Sequence, residues 1–340
     1  MKGKFIYQCV DCQTEYEGEG IRYLCPACAL GNKKGKPPKG VMKVVYNYQE
    51  IKSSKGRNDL FNQLSEQRFL PLLPITKLDS WPPLRIGDTP CYHYEVSDIQ
   101  CFLKDDSQNP TFSFKDRASA LVSAWAKENG INRLVAASTG NAGSSLAGIC
   151  ASQRQKAIIV VPSTAPVAKL IQVLMYGATL IPVRGTYDDA YALSIALSER
   201  YGHYNRNTAF NPLTIEGKKT VAYELYQQLG FRVPDRIFVP TGDGVILAGV
   251  YRGFEDLFLL GIIPEMPVLV AVQSSGSQNL VSNLNRSVFG STPSKTLADS
   301  ISVDVPGNFS MVRSYLKKYN GEYVLVSDED ITSASRQISR

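Results

Sequence analysis

The nine residues NPTFSFKDR, Asn109–Arg117, set one lysine, Lys115, between an aromatic ring and an aspartate. A lysine on a helix is ordinarily a strongly hydrated point charge on a flexible stem, with no chemistry to perform. Two stretches downstream argue otherwise. ASTGNAGSS, Ala137–Ser145, directly follows a strand-like run, and its small residues leave backbone N–H groups free to point at a carboxylate or phosphate. PTGDGVILAG, Pro240–Gly249, also follows a strand-like run and opens a helix; Gly242 and Gly244 allow the backbone to approach an anion closely. Either turn alone is also the simplest way for a chain to leave a strand. Two of them with one lysine make a candidate site.

The same stretches narrow the chemistry. Neither turn has the GxxxxGK[ST] pattern or a clean GxGxxG, so triphosphate and dinucleotide readings lose ground. His93 and His203 are the only histidines, which leaves histidine triads and histidine metal sites thinly supported. Lysine remains as the reactive group.

Around these motifs the chain alternates. Leu134–Ser138, Ala157–Val161, Thr179–Val183 and Tyr204–Thr208 are short strand-like runs separated by helical segments, which implies a small parallel sheet of the βαβ type. A second set begins with the helical stretch IEGKKTVAYELYQQLG and continues through RIFVP, PVLVAVQ and YVLVSDED; CFLKDD, just before Lys115, is expected to pair with it. Two open sheets then face each other, with a ligand crevice at the carboxyl ends of their strands. The proline-rich LPITKLDSWPPLRIGDTP has neither period and should lie extended over a surface. A chain of 340 residues, 44% hydrophobic and 20% charged, has the length for two globular domains and the composition of neither a disordered nor a membrane protein.

The first 45 residues are different. CVDCQTEYEGEGIRYLCPAC holds Cys9, Cys12, Cys25 and Cys28, two CxxC knuckles whose spacing suits a tetrahedral four-thiolate site. Zinc is the expected occupant ahead of iron, in a closed structural ribbon. A redox pair is disfavoured because neither CxxC opens a helix after a strand. Such a small ribbon cannot bury a core of its own. Cys91, Cys101 and Cys150 stand alone in apolar runs and read as buried thiols, and NKKGKPPKG, Asn32–Gly40, reads as a solvated linker more readily than a nucleic-acid patch, given a net charge of only +6. No run approaches the roughly 18 apolar residues that span a bilayer, and the expectation is a cytoplasmic protein.

In this order, NPTFSFKDRAS, ASTGNAGSS, NPLTIEGKKT and PTGDGVILAG resemble the motifs of the threonine synthases, pyridoxal phosphate enzymes of the tryptophan-synthase β fold. SFKDR marks the cofactor lysine in those enzymes, and the two-knuckle ribbon is similar to that of a bacterial and archaeal branch. The fold class this implies is α/β: two open, mostly parallel-sheet domains of the PLP fold type II class, preceded by a small zinc ribbon. Residues 1–45 would be ribbon and linker, 46–128 with 212–340 the larger cofactor-binding domain, and 129–211 the smaller domain. By the same resemblance Lys115 would carry pyridoxal 5'-phosphate covalently and later move protons on the substrate carbons. Asn141 would hold the cofactor's ring hydroxyl, and Gly242, Asp243, Gly244, Val245 and Ile246 its phosphate. Asp243 is awkward there, since an anion needs a neutral or positive neighbour. Ser138, Thr139 and Ala142 would take the substrate carboxylate, while Asp116 and Arg117 would fix the helix that carries Lys115.

The implied reaction turns O-phospho-L-homoserine and water into L-threonine and phosphate. The implied partner is that small amino-acid phosphate, with no nucleic acid and no membrane, and the fold allows a homodimer. A leaving phosphate calls for a second cationic subsite, for which Lys218 and Lys219 are candidates against a solvated-helix reading. Phe112 departs from the family, which has a small residue there, and that bears on the substrate. Cysteate synthase and serine or threonine dehydratase are the rivals on the same fold, and a non-catalytic zinc-ribbon scaffold is the rival outside it. Finally, VSDEDITSASRQISR opens with Ser327 and Asp330 in capping-box positions and has no terminating glycine or proline before Arg340. The relatives continue for several dozen residues, so the expectation is a chain shortened at its C-terminus.

Overall fold

Each run of β-branched residues in the second half of the chain alternates with a helix, and the strands they form are parallel, as such alternation requires. The computed structural model describes residues 3–52, 57–96 and 99–338. At the N-terminus, β1 (Phe5–Cys9), β2 (Glu15–Glu17) and β3 (Met42–Tyr46) make an antiparallel sheet of order β2-β1-β3, with the one-turn helix α1 (Pro26–Ala29) between β2 and β3. Strand β3 alternates strictly, so Met42, Val44 and Tyr46 point inward, where they join Phe5 and Tyr7 in the hydrophobic cluster of the main body.

The ribbon therefore borrows the core it cannot build. Tyr46 donates its hydroxyl to Glu216 at 2.7 Å, and the Val44 carbonyl accepts from Arg252 at 2.8 Å. The Tyr23 hydroxyl accepts from the Asn205 N–H at 2.8 Å, and its ring stacks on Phe210 at 4.5 Å. The basic run Asn32–Gly40 is mostly exposed, as expected of a linker.

Two short helices follow, α2 (Tyr48–Ile51) and α3 (Arg57–Glu66), and the proline-rich segment after them is irregular apart from a single 3-10 turn at Leu78–Ser80. Strands β4 (Cys91–Val96) and β5 (Ile99–Lys104) then pair only with each other, antiparallel, from Cys91↔Lys104 to Val96↔Ile99. CFLKDD thus does not join the second parallel set. Pairing with the strand just before it closes a far shorter loop than crossing to a sheet more than a hundred residues away. Its Cys101 is exposed and Cys91 half-buried, so of the three lone cysteines only Cys150 is the buried thiol expected.

Helix α4 (Lys115–Glu128) leads into the first parallel sheet. Its elements are β6 (Arg133–Ala137), α5 (Asn141–Ser152), β7 (Lys156–Pro162), α6 (Val167–Met175), β8 (Thr179–Val183), α7 (Tyr187–Tyr201) and β9 (Tyr204–Asn205), and its order is β8-β7-β6-β9. All four expected strands are present. The fourth stops at Asn205 because asparagine side chains take over the backbone's bonds: Asn207 accepts from the Ala137 N–H at 2.7 Å, and Asn205 accepts from the Asn207 N–H at 2.8 Å. Since β6 comes first in the chain yet lies between β7 and β9, the sheet reverses its winding there, and the crevice beyond that reversal is where open α/β sheets bind ligands.

The expected long helix over IEGKKTVAYELYQQLG divides at Lys219 into α8 (Leu213–Lys218) and α9 (Thr220–Gln228). The second parallel sheet follows: β10 (Arg236–Pro240), α10 (Val245–Leu259), β11 (Val268–Ser274), α11 (Phe309–Lys318) and β12 (Glu322–Val326), in order β10-β11-β12. The predicted capping box opens α12 (Asp328–Ile338): Ser327 donates its hydroxyl to Asp330 at 2.8 Å and accepts from the Asp330 N–H at 3.0 Å. Among the described residues no helix is long and apolar enough to cross a membrane.

Because Tyr46 is fully buried against an ionised network, Tyr46→Phe should cost the whole chain about 1.5–3 kcal/mol, the range for a hydrogen bond to a charged group. Urea unfolding followed by far-UV circular dichroism measures it; an unchanged midpoint would mean that the ribbon sheet adds nothing to the stability of the body.

Candidate active site

Lys115 is the first residue of α4, and its two neighbours are clamped. The buried Asp116 carboxylate accepts from the Thr111 N–H at 2.7 Å and from the Thr111 hydroxyl, closing the turn before the helix. Arg117, 1% exposed, bridges Asp106 and Glu224 with contacts of 2.6–2.8 Å to each. Burial raises the Glu224 carboxyl, but the Arg117 and Lys104 contacts outweigh it and bring it down to about 2. Between these anchors the Lys115 amine has no ion pair and no hydrogen bond among the described residues. Burial and the nearby Arg206 lower its pKa, which raises the neutral, nucleophilic fraction.

Phe112 begins the same turn in the left-handed region, at φ 63°, with its N–H donating to Asn109 at 2.8 Å. Its ring is 73% exposed and is not packed into the protein core.

The two glycine-rich turns sit at carboxyl ends of parallel strands. Ser138–Ala142 carries β6 into α5, with Gly140 as the N-cap; Ser138 accepts from the Gly140 N–H at 3.2 Å, Thr139 and Ala142 are half-buried, and Asn141 is exposed at the helix start. Gly242–Ile246 carries β10 into α10, where Gly244 adopts φ 85° as the N-cap. A Cβ on Gly242 would come within 2.7 Å of the Ile301 backbone, so only glycine lets the turn pass beneath that segment. The Asp243 carboxylate, which seemed out of place, accepts from the Gly307 N–H and faces Lys218. Burial raises its pKa against those two opposing influences.

Two residues of this site, Arg206 and Tyr187, carry no sequence signal, and a third, Lys218, was a candidate in the sequence. Arg206 follows β9 at the winding reversal, fully buried; it donates to the Ser119 hydroxyl at 3.1 Å, the Thr208 hydroxyl at 2.6 Å and the Lys115 carbonyl at 3.5 Å. Burial lowers it to about 10. Tyr187 donates to the Ala137 carbonyl at 3.2 Å and is pushed up to about 12 by burial and then by Asp243. Lys218 is 1% exposed, and burial, Arg206 and Lys115 hold it well below the usual lysine range, while Asp243 acts the other way. The solvated-helix reading of Lys218 and Lys219 is therefore overturned, because α8 lies inside the protein. Lys219 is committed elsewhere, to Glu216 at 2.6 Å and Asp256 at 2.7 Å, with the Tyr46 ring 4.2 Å away. Around Lys115 stand two more cations, Arg206 and Lys218, and two carboxylates, Asp116 and Asp243, which Thr111 and the Gly307 N–H already engage.

The cysteine sulfurs of Cys9, Cys12, Cys25 and Cys28 lie within 4.8 Å of one another, with Cys9–Cys28 at 3.9 Å and Cys12–Cys25 at 3.8 Å. Tetrahedral zinc–thiolate bonds of about 2.3 Å imply sulfur separations of about 3.8 Å, so the donor set fits zinc.

Residues 83–340 match the family described as "Pyridoxal-phosphate dependent enzyme". The chain is 30% identical over 345 residues to a threonine synthase of Methanocaldococcus jannaschii, covering 98% of this chain and 82% of the relative. It is also 30% identical to a threonine synthase of Methanosarcina acetivorans, over 98% and 81%. Among solved structures it resembles maize serine racemase (TM-score 0.64, 23% identity, 74% of each chain) and a tomato threonine deaminase (TM-score 0.60, 24% identity, 81% and 77%), likenesses that show the fold.

Removing Arg117 strands two carboxylates, so Arg117→Met should destabilise the protein by about 3–5 kcal/mol in urea unfolding, more than its loss of packing alone would explain. Phe112→Gly should do the opposite and gain about 1 kcal/mol by relieving the left-handed backbone, a change read as a raised denaturation midpoint.

Proposed function

This chain belongs to the family of pyridoxal-phosphate dependent enzymes, and within it we propose a threonine synthase that converts O-phospho-L-homoserine and water to L-threonine and phosphate. The observation that carries the reading is the partly buried amine of Lys115, without an ion pair among the described residues, beside the buried side chains of Arg206 and Lys218. Similarity over 98% of this chain to archaeal threonine synthases supports the substrate assignment.

The residues present suit the cofactor. Lys115 offers an amine with no carboxylate partner among the described residues, Asn141 is exposed at the start of α5 to meet the ring hydroxyl, and Gly242–Ile246 leads into α10, whose N-terminal N–H groups suit a phosphate. When bound, the cofactor supplies an electron sink for charge developing on the substrate carbons. The remaining work belongs to the chain. Backbone N–H groups of Ser138–Ala142 at the start of α5, with the Thr139 hydroxyl, hold the substrate carboxylate. Lys115, kept partly neutral by burial and Arg206, takes protons from Cα and Cβ. It returns a proton at Cγ after the phosphate has left; water adds its hydroxyl at Cβ, its proton leaving with the phosphate, and a second proton returned at Cα completes L-threonine.

Dividing the body at 46–128 with 212–340 against 129–211 assigns Lys115 and Gly242–Ile246 to one unit and Ser138–Ala142 with Arg206 to the other, so substrate lies where the two meet. The four thiolates leave a zinc ion no open position, which makes the ribbon a structural element.

Lys115→Ala should abolish both threonine formation and the borohydride-reducible cofactor adduct while leaving the circular dichroism spectrum unchanged, since no apolar cavity is created. An adduct that survives in the variant would move the assignment to another lysine. Parallel assays with phosphohomoserine, with phosphoserine plus sulfite, and with threonine separate the proposed reaction from its rivals.

A further inference from the structure

A helix at the flank of a sheet buries one side and wets the other, and a helix that is apolar on both sides belongs inside something. The outer side of α11 carries the usual residues: Arg313, Ser314, Lys317 and Lys318 are exposed. Helix α6 is different. Leu170 and Val173 are buried in the core of the body, yet Val167, Ile171, Leu174 and Met175 are between 51% and 80% exposed. Steps of four, three and one residue put these four in a single stripe along the solvent side.

The stripe continues beyond the helix. A Cβ on Gly148 of α5 would lie 2.6 Å from the Thr111 methyl and 3.2 Å from the Tyr176 ring, so the turn before Lys115 and the end of α6 meet over that glycine. Phe112 follows Thr111 and Met175 precedes Tyr176, which brings the exposed Phe112 ring to the C-terminal end of the stripe. We propose that this face is where two copies of the chain pair, α6 of one lying antiparallel on α6 of the other about a two-fold axis at Ile171. The pairing goes beyond the reaction proposed above and does not depend on it.

Charge selects the occupant. Ser163–Pro166 before the helix and Tyr176–Leu180 after it contain no charged residue, and Lys169 falls two residues from both Val167 and Ile171, so helical spacing places it on the far side. In a two-fold contact each residue near the axis meets its own copy, where a charge would face its like; an uncharged face is the kind that can pair with itself. A lipid surface would call for lysine or arginine along the border of the stripe, and an acidic or basic partner for the opposite charge. Strand addition is disfavoured as well, because β8, the neighbouring edge strand, contains Pro182, which has no N–H to give.

Area agrees with a second copy. At about 100 Å² per fully exposed apolar side chain, the stripe and Phe112 together offer roughly 300–400 Å². An interface of ordinary size hides about 800 Å² on each partner, a little over half of it apolar. The stripe therefore supplies most of the apolar share. Direction follows from shape: Val167 is the smallest member at one end, and Met175 with Phe112 is the bulkiest group at the other. Antiparallel crossing sets small against large and opposes the helix dipoles, whereas parallel crossing would crowd the two bulky ends together. Since α6 packs on α5, the contact would brace from outside the helix that begins at the Ser138–Ala142 turn.

The test is sedimentation equilibrium of the cofactor-loaded protein over a range of micromolar concentrations, where the parent should be a dimer. Ile171→Asp and Leu174→Asp should each weaken pairing by roughly 100-fold or more, because each puts two carboxylates into one dry contact. Both should melt within about 3 °C of the parent in dilute solution, since these side chains already meet solvent in the single chain. If one variant melts early, the other carries the measurement. Ile171→Lys should be equally monomeric alone, and mixing it one to one with Ile171→Asp should restore the dimer, because the axis sets the two substituted side chains face to face. A parent that is monomeric throughout would overturn the proposal, as would a dimer left intact by both aspartate variants, which would place the pairing on another face. Failure of the mixed lysine and aspartate variants to pair would overturn the two-fold arrangement at Ile171. A monomeric parent that floats with phosphatidylcholine vesicles would overturn it too and assign the stripe to lipid.

Discussion

The arrangement around the site depends on one close contact, the seating of α8 between α4 and α10. Gly217 lies on the backbone of Arg117 and Ala118, where a Cβ would come within 2.2 Å of a carbonyl oxygen. On the other side Gly249 and Gly253 of α10 make similar room, with virtual Cβ positions 2.7 Å from the Lys218 side chain and 2.3 Å from the Lys219 carbonyl oxygen. A side chain larger than hydrogen at these points would overlap the facing helix and force the two apart. Because they are glycines, a six-residue helix carrying Glu216 and Lys218, with Lys219 at its C-cap, enters the interior, where each charge must find a partner.

The burial then divides the charges by direction. Glu216 and Lys219 face the ribbon, and with Asp256, Arg252, Tyr46, Tyr48 and Tyr223 they form a buried polar network that ties β3 to the body. Such a network is favourable only if its members are mutually satisfied, so it fixes geometry more than it adds stability. Lys218, the adjacent residue, faces Lys115, Arg206 and Asp243 instead. One turn of helix thus links the four-cysteine ribbon to the candidate catalytic lysine through rigid packing. Arg117 performs the matching task on α4, where its two carboxylate partners hold the start of the helix and so aim the Lys115 amine.

Much of this was legible in the sequence, because the signals were local. The four strands of the first sheet appear within a residue or two of their expected positions, apart from the fourth, which is cut short by asparagine side chains competing for the same backbone groups. The two glycine-rich turns that open α5 and α10, the clustering of the cysteine pairs and the Ser327–Asp330 capping box all rest on spacings within one turn or hairpin, and all have the expected geometry. Family membership was equally plain from short motifs in a given order.

What the sequence could not decide was which side of a residue would meet the interior. IEGKKTVAYELYQQLG has the charges of a solvated helix, and only the three glycine contacts, two of them on a helix some thirty residues away, place it inside. CFLKDD has the composition of a sheet strand, yet its partner was chosen by the short loop to β4 rather than by its own residues. Arg206 sits in an irregular stretch with no motif, and becomes a buried, unpaired cation only because β9 ends at the winding reversal beside Lys115. Composition, motifs and local spacing are properties of the chain and were settled there. Burial and the pairing of charges depend on residues distant in sequence arriving at the same place, and tertiary packing alone decided them.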